Sequence, residues 1–239
     1  MADKYKIGLV PTAHHSREFR PNGGDYIQNY VTTANEFLKD YNYHIYVVDN
    51  GSEYPIADSL KGDNVTVLRI EDQFVKGITG AWNMGINEAI DAGCDLVINT
   101  NDDIVFNKSI SEFIETIRSE EYLNAHRVYG VMTNGLLTPT KQFSKEPVDR
   151  LFRMSGVNGN NVLSGFFLGM TKEFYMNYRK PNGDLYPYKH TNDGGDGKWG
   201  GQEGMQIEWG DQGAELWVIG KCWIAHAKER GWVKTKHAD

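Results

Sequence analysis

Val97-Ile98-Asn99-Thr100-Asn101-Asp102-Asp103-Ile104-Val105-Phe106 sets the reading of the whole chain. An apolar run stops at two adjacent carboxylates, and a second apolar run follows. The pattern is that of a buried strand whose end projects charge into a cleft. Side chains along a strand alternate between its two faces. At least one of Asp102 and Asp103 therefore faces a ligand or solvent. Taken alone, these ten residues fit a solvated turn equally well, so the surrounding sequence decides.

Upstream lie three more strand-like runs. Tyr5 to Val10 is ended by Pro11, His44 to Val48 runs into Asp49-Asn50-Gly51-Ser52, and Val65 to Ile70 precedes a polar loop. Between them, Ile27, Tyr30, Val31, Ala34, Phe37 and Leu38 form one helical stripe. Trp82, Ile86, Ala89 and Ile90 form another, on a helix expected to begin near Thr79 or Gly80 and to be capped by Gly93. Behind the opening stretch, Ser109-Ile110-Ser111-Glu112 is a capping-box pattern that leads a stripe of Ile110, Phe113, Ile114 and Ile117. Repeated alternation of strand and helix implies a mostly parallel sheet flanked by helices. Ligands of such sheets bind beyond the carboxyl ends of the strands. The loop from Thr12 to Asp25 (with His14, His15, Arg17 and Arg20), the Asp49 turn and the Asp102-Asp103 pair all fall at those ends. Three polar loops are thus expected on one rim.

Downstream the pattern loosens. Val128 to Met132 and Val162 to Met170 read as strands, and Lys172 to Tyr178 as a short helix. The stretch from about 181 to 210 is dense in glycine, with Gly194-Gly195, Gly197, Gly200-Gly201 and Gly204 suited to a flexible lid. Asp211 to Trp217 reads as the start of a helix, and Cys222 to Ala225 as a last strand with His226 just beyond. The expected organisation is one α/β domain over 1–239. Its donor half is 1–106, and its loop-rich acceptor half is 107–239.

The composition narrows the class. A net charge of 25 − 32 = −7 argues against a general nucleic-acid-binding surface. Near the C-terminus, however, the basic residues Lys221, Lys228, Arg230, Lys234 and Lys236 outnumber the acids. No run approaches the roughly 20 apolar residues of a membrane span. The start lacks a signal-peptide core. Two cysteines, Cys94 and Cys222, suit core thiols and a cytoplasmic location. No Gly-x-Gly-x-x-Gly, Walker-A or Gly-x-Ser-x-Gly motif occurs, and no zinc spacing. What remains is carboxylate chemistry beside a hard divalent cation, Mg²⁺ or Mn²⁺, bridging to a substrate's phosphates. A histidine ligand would favour Mn²⁺.

The order of three motifs then carries a resemblance: Val47-Val48-Asp49-Asn50-Gly51-Ser52, Gly80-Ala81-Trp82-Asn83-Met84-Gly85-Ile86, and Asn101-Asp102-Asp103-Ile104. Together they resemble the family-2 glycosyltransferases of GT-A fold. Ser164-Gly165-Phe166-Phe167, Trp209-Gly210-Asp211-Gln212 and Ile224-Ala225-His226 follow in the family's order. The resemblance implies a donor site in which Asp49 bonds the nucleobase, most often uracil, with Pro11 and Thr12 lining its pocket. Asn83 would lie near the donor's ribose or phosphate, with Asn101 and Asp102 beside it. Asp103 and His226 would hold the metal, and Asp211 would be the base. The usual glutamate before that aspartate is missing, since Gly210 stands there. Glu203, Glu208 and Glu215 are therefore alternatives. Trp199, Trp209, Tyr186 and Tyr188 suit either sugar stacking or anchoring of the lid, whereas Trp82 and Trp217 suit the core. The implied reaction is metal-dependent inverting transfer from a nucleoside-diphosphate sugar, with UDP the expected carrier, to a hydroxyl of a carbohydrate or other acceptor. Alternatives are a phage-type DNA-base glycosyltransferase, a non-catalytic module binding a nucleotide sugar or glycan, and a nucleotidyltransferase.

Overall fold

A computed structural model describes residues 5–16, 23–56, 60, 62–71, 73–119, 125–134, 141–154, 162–186 and 202–226. Along the chain run β1 (Lys6–Ala13), α1 (Gly23–Phe37), β2 (Asn42–Asn50), β3 (Val65–Ile70), α2 (Gln73–Asp91), β4 (Leu96–Asn101), β5 (Ile104–Val105) and α3 (Ile110–Ser119). They are followed by β6 (Arg127–Thr133), β7 (Leu151–Met154), β8 (Phe167–Thr171), α4 (Lys172–Tyr178), α5 (Gln202–Asp211) and β9 (Glu215–His226). The strands form one sheet in the order β3-β2-β1-β4-β8-β6-β9-β5, with β7 also on β9. The first four strands are parallel, as expected from the alternation. Beyond β4 the sheet is mixed: β8 is antiparallel to both β4 and β6, and β9 is parallel to β6. Among the described residues no helix separates β2 from β3, so the alternation is less regular than the sequence suggests.

The sheet divides two apolar layers. Residues 7, 9 and 13 of β1 and 96 and 98 of β4 share one layer with Ile27, Tyr30, Val31 and Ala34 of α1 and the Ile110–Ile117 stripe of α3. Val10, Val48 and Val97 face the other, under Ala81, Trp82, Ile86 and Ala89 of α2. The alternation of strand residues and the helical stripes thus pack as their spacing requires. Gly77 has φ 60° and ψ −168°, so the regular part of α2 begins only after it, near the Thr79 start read from the sequence. Ser109 does not form the expected capping box. Its hydroxyl is taken by β9, donating to the Trp223 carbonyl and accepting from the Trp223 N–H, both at 3.0 Å.

Three expectations are corrected. First, β1 does not stop at Pro11 but runs to Ala13. Its ladder with β2 has no registered pair at Val10 or Pro11 and resumes at Thr12↔Val48, so the missing N–H of proline falls in a gap. Second, the lid region contains a helix, α5, whose Met205, Gln206 and Trp209 are buried at helical spacing. Third, no helix begins at Asp211. That residue ends α5, Gly213 turns the chain at φ 97°, and the β-prone run Leu216-Trp217-Val218-Ile219 enters β9.

Candidate active site

Strands β1, β2 and β4 end together, which brings their terminal loops side by side. Asp102 and Asp103, directly after β4, are both buried. The end of β9 meets them from the other side through the pairing Ile104↔His226. His226 Nε2 lies 3.0 Å from Asp103 Oδ1. The imidazole is stacked on Phe166 at 5.1 Å and 28°, and the His226 N–H donates to Asn134 Oδ1 at 3.0 Å. The Asn101 N–H donates to the Phe166 carbonyl at 3.0 Å, so β4 and the segment before β8 fix both partners of the pair. Asp102 turns instead toward His15, whose Nε2 lies 3.6 Å from Asp102 Oδ2. The chain bends at these two residues between β4 and β5, and the consecutive carboxylates face two different histidines.

The β1 loop is tied to the β2 turn. His14 Nδ1 lies 3.0 Å from the Asn50 carbonyl, the His15 N–H donates to Ser52 Oγ at 2.9 Å, and the Glu53 N–H donates to the His15 carbonyl at 2.9 Å. Asp49 is fully buried and holds this turn from inside. Its Oδ1 accepts from Ser52 N–H at 3.0 Å, and its Oδ2 accepts from Ile56 N–H at 3.2 Å and from Arg69 Nη1 at 2.6 Å. Both oxygens of the residue expected to read a nucleobase are thus committed to the protein. Asn83 is committed too: its Nδ2 donates to the Tyr186 carbonyl at 2.8 Å, and its Oδ1 accepts from Leu185 N–H at 3.1 Å and Tyr186 N–H at 2.8 Å. Its visible work is to pin residues 185 and 186.

The carboxylates of the C-terminal half are spread along α5 and β9. Arg127↔Glu215 pairing sets the start of β9 level with the start of β6, the sheet edge opposite Asp103. Asp211, exposed four residues earlier, is therefore not brought to the rim. Six residues of β6 alone separate the two levels by about 20 Å. Glu215 is bound at that lower edge by Arg127, at 3.2 Å, and Arg153, at 2.9 Å. In contrast, Gln206 bonds both backbone groups of Leu163, at 2.8 Å, just before the segment that touches Asn101. Trp209 packs lower, against Phe174 and Tyr186. Helix α5 thus runs from the Leu163 contact at Gln206 to the packing of Trp209, and Glu203 lies on its first turn. Trp209 and Tyr186 are core residues in this arrangement. Arg17, Arg20, Tyr188, Trp199, the lid glycines from 194 to 201 and the basic residues after Lys221 lie outside the described residues. Lys221 itself is paired with Asp149 at 3.2 Å.

A divalent ion fits the Asp103–His226 pair. Neighbouring ligands at about 2.1 Å from an octahedral ion are about 3 Å apart, close to the observed 3.0 Å. Among the described residues no group of three or more His, Cys, Asp or Glu side chains could hold an ion alone. Such sparse protein ligation is normal for an ion that shares its shell with phosphates and water.

The profile of the family described as Glycosyl transferase family 2 matches residues 21–182, more than half of the chain. The chain belongs to glycosyl transferase family 2. Its fold is GT-A. It is similar in structure to GalNAc-T7 crystallised with UDP, GalNAc and Mn²⁺, with TM-score 0.63 and 15% identity over 96% of this chain and 46% of that one. It is also similar to residues 1–349 of S. aureus TarS, with TM-score 0.59 and 13% identity over 93% of this chain and 60% of that one. The same TarS segment in complex with UDP gives TM-score 0.62 and 12% identity over 92% and 60%. The chain thus spans about half to three fifths of the chains it matches. No curated protein sequence matches it. Among the described residues no helix is long and apolar enough to cross a membrane.

Proposed function

We propose that this family-2 chain is a metal-dependent, inverting glycosyltransferase that moves a sugar from a UDP-linked donor to an acceptor hydroxyl. The observation that carries the reading is the Asp103–His226 pair at the carboxyl end of β4. UDP accompanies two of the similar structures, and Mn²⁺ accompanies one. A divalent ion held by Asp103 and His226 would neutralise charge on the departing diphosphate. The chain's own residues do the rest. Pro11, Thr12 and the turn held by Asp49 receive the nucleoside. Asn101 and Asp102 border the ribose and diphosphate. Asn83 keeps residues 185 and 186 against α2. A carboxylate on the first turn of α5 accepts the proton of the attacking hydroxyl, which approaches opposite the leaving group and inverts the anomeric centre. Glu203 is the residue of that turn with this chemistry, in place of Asp211 at the far end of the helix.

The test is to incubate the full chain with a panel of nucleoside-diphosphate sugars and Mn²⁺, with and without acceptors, and to follow nucleoside-diphosphate release. Release confined to UDP-sugars and abolished by chelation supports the reading. Donor binding without turnover against carbohydrate, lipid-linked and hydroxylated-DNA acceptors would instead make the chain a binding module.

A further inference from the structure

The segment from Val162 to Phe166 is largely buried but is neither strand nor helix, so its backbone groups need partners from elsewhere. Two fully buried glutamines supply some of them. Gln206 of α5 accepts from the Leu163 N–H and donates to the Leu163 carbonyl, both at 2.8 Å. Gln142 accepts from the Ser164 N–H at 2.7 Å and donates to the Val131 carbonyl of β6 at 3.0 Å. A side-chain amide carries a donor and an acceptor side by side, as a peptide group does. Gln206 thus takes the place of a neighbouring strand at Leu163. The packing leaves the segment little room. A Cβ on Gly130 of β6 would lie 2.6 Å from Gln142 Nε2 and 3.0 Å from Leu163 Cδ2.

The segment ends at the Asp103–His226 pair. Phe166, three residues after Leu163, presents its carbonyl to the Asn101 N–H at 3.0 Å and its ring to His226 at 5.1 Å and 28°. On its other side the imidazole meets Asp103, with Nε2 3.0 Å from Oδ1. A chain of contacts therefore runs from Gln206 through Leu163 and Phe166 to His226. It starts on the helix whose first turn carries Glu203, three residues before Gln206. A buried glutamine that braced a remote loop would only stabilise the fold. Gln206 braces the segment that touches both Asn101 and His226.

We propose that Gln206 is a positioning residue for sugar transfer. By clamping Leu163 it sets the Phe166 ring that orients His226, and it ties α5 to the same wall. The consequence for catalysis rests on the metal reading given above, whereas the clamp itself belongs to the metal-free protein. The chemistry of the clamp can be switched at one residue. Methionine at 206 is close in size and removes both bonds. Glutamate keeps the shape. When protonated, its carboxyl accepts from the Leu163 N–H and donates to the Leu163 carbonyl, as the amide does. When ionised, it has no proton to donate and turns a negative oxygen toward that carbonyl. Burial raises the pKa of such a carboxyl, which brings the change within a workable pH range.

The experiment follows the His226 ring protons by NMR in the metal-free full chain, assigned with His226→Ala, and then titrates Mn²⁺. Stacking on Phe166 displaces those resonances through the ring current. Gln206→Met is expected to move them toward their position in Phe166→Leu and to weaken Mn²⁺ binding by about ten-fold. Gln206→Met placed on Phe166→Leu should add little to either effect, because both act through one chain of contacts. Gln206→Glu should match the wild type at about pH 6 and approach Gln206→Met at about pH 8.5, each compared with wild type at the same pH. Melting curves confirm that folded protein is measured. If Gln206→Met does not fold, Gln206→Glu carries the same comparison. His226 resonances and Mn²⁺ affinity unchanged in both variants, with only the melting temperature lowered, would make Gln206 a structural brace and overturn the proposal. Moved resonances with an unchanged Mn²⁺ affinity overturn it as well. If the wild type binds no Mn²⁺ while the resonances still move, the clamp on His226 stands and the metal reading falls.

Discussion

His226 and Asp103 are 123 residues apart in sequence and 3.0 Å apart in space. The contact exists because β9 returns the chain to β5, directly after the Asp102-Asp103 pair. Each partner is fixed by other contacts, the His226 imidazole by stacking on Phe166, its backbone N–H by Asn134, and the carboxylate by its place after β4. Asp103→Asn should keep the fold but cut sugar transfer by roughly 10²–10³-fold, the scale of removing one preorganised electrostatic contact. His226→Ala should weaken Mn²⁺ binding by roughly 10–100-fold and cost less at saturating metal. Titration of Mn²⁺ against each variant, alongside nucleotide release, separates the two effects. Equal metal affinity in all three proteins would remove the pair from the metal site.

Asn83 makes three buried hydrogen bonds to the backbone of residues 185 and 186. Asn83→Ala leaves those backbone groups without partners, at a cost of about 1–3 kcal/mol per buried group if nothing replaces it. Thermal unfolding should show a drop of several degrees. A variant as stable as wild type but defective in donor binding would mean that Asn83 acts on the ligand instead.

Much of the N-terminal half was legible in the sequence because its signals are local. The stripes of α1, α2 and α3 and the apolar runs of β1, β2 and β4 need only periodicity, and they pack as it requires. The rim follows from where those strands end. The C-terminal half was harder, for physical reasons that specific residues show. Helix α5 buries Met205, Gln206 and Trp209, and one of these is a glutamine whose partner, Leu163, is 43 residues away. Its amphipathic signal is correspondingly weak, and the glycines before it read as a lid. Asp211 looked like the start of a helix because an aspartate often is one. The aromatic and β-branched run after Gly213 was the signal that a strand begins there. The fates of Asp49 and Asn83 depend on Arg69, Ile56, Leu185 and Tyr186, and no local pattern reveals those bonds.

Burial alone would raise the Glu215 carboxyl, but a hydrogen bond from Trp217 Nε1 and the charges of Arg153 and Arg127 outweigh it and hold the group below the ordinary value. A carboxylate depressed in the folded state stabilises the fold above its unfolded value, and that stability is lost as pH falls through the folded value. Partial exposure limits the effect to about 1 kcal/mol or less. Glu215→Gln should therefore lower the melting temperature at neutral pH and flatten its fall below about pH 4.5. Parallel melting curves from pH 3 to pH 7 give the check. A wild-type curve no steeper than the variant's would exclude this linkage.

Both cysteines are free and buried, and burial pushes the Cys222 thiol far up and the Cys94 thiol up. Their partners are weak ones, Ser109 Oγ at 3.9 Å for Cys222 and the Tyr46 hydroxyl at 3.9 Å for Cys94. A thiol held neutral and out of solvent is a poor nucleophile. Neither should react with a thiol-specific chromogenic reagent in the native protein at pH 8, and both should react after denaturation. Cys222 lies on β9 four residues before His226, and Cys94 follows α2. Reaction of Cys222 therefore reports opening of the strand that carries His226, and it should slow when UDP and Mn²⁺ bind and stabilise the folded state. Fast labelling of Cys222 in the native protein, unaffected by ligand, would show that the β9 end is not held as the His226–Asp103 contact implies.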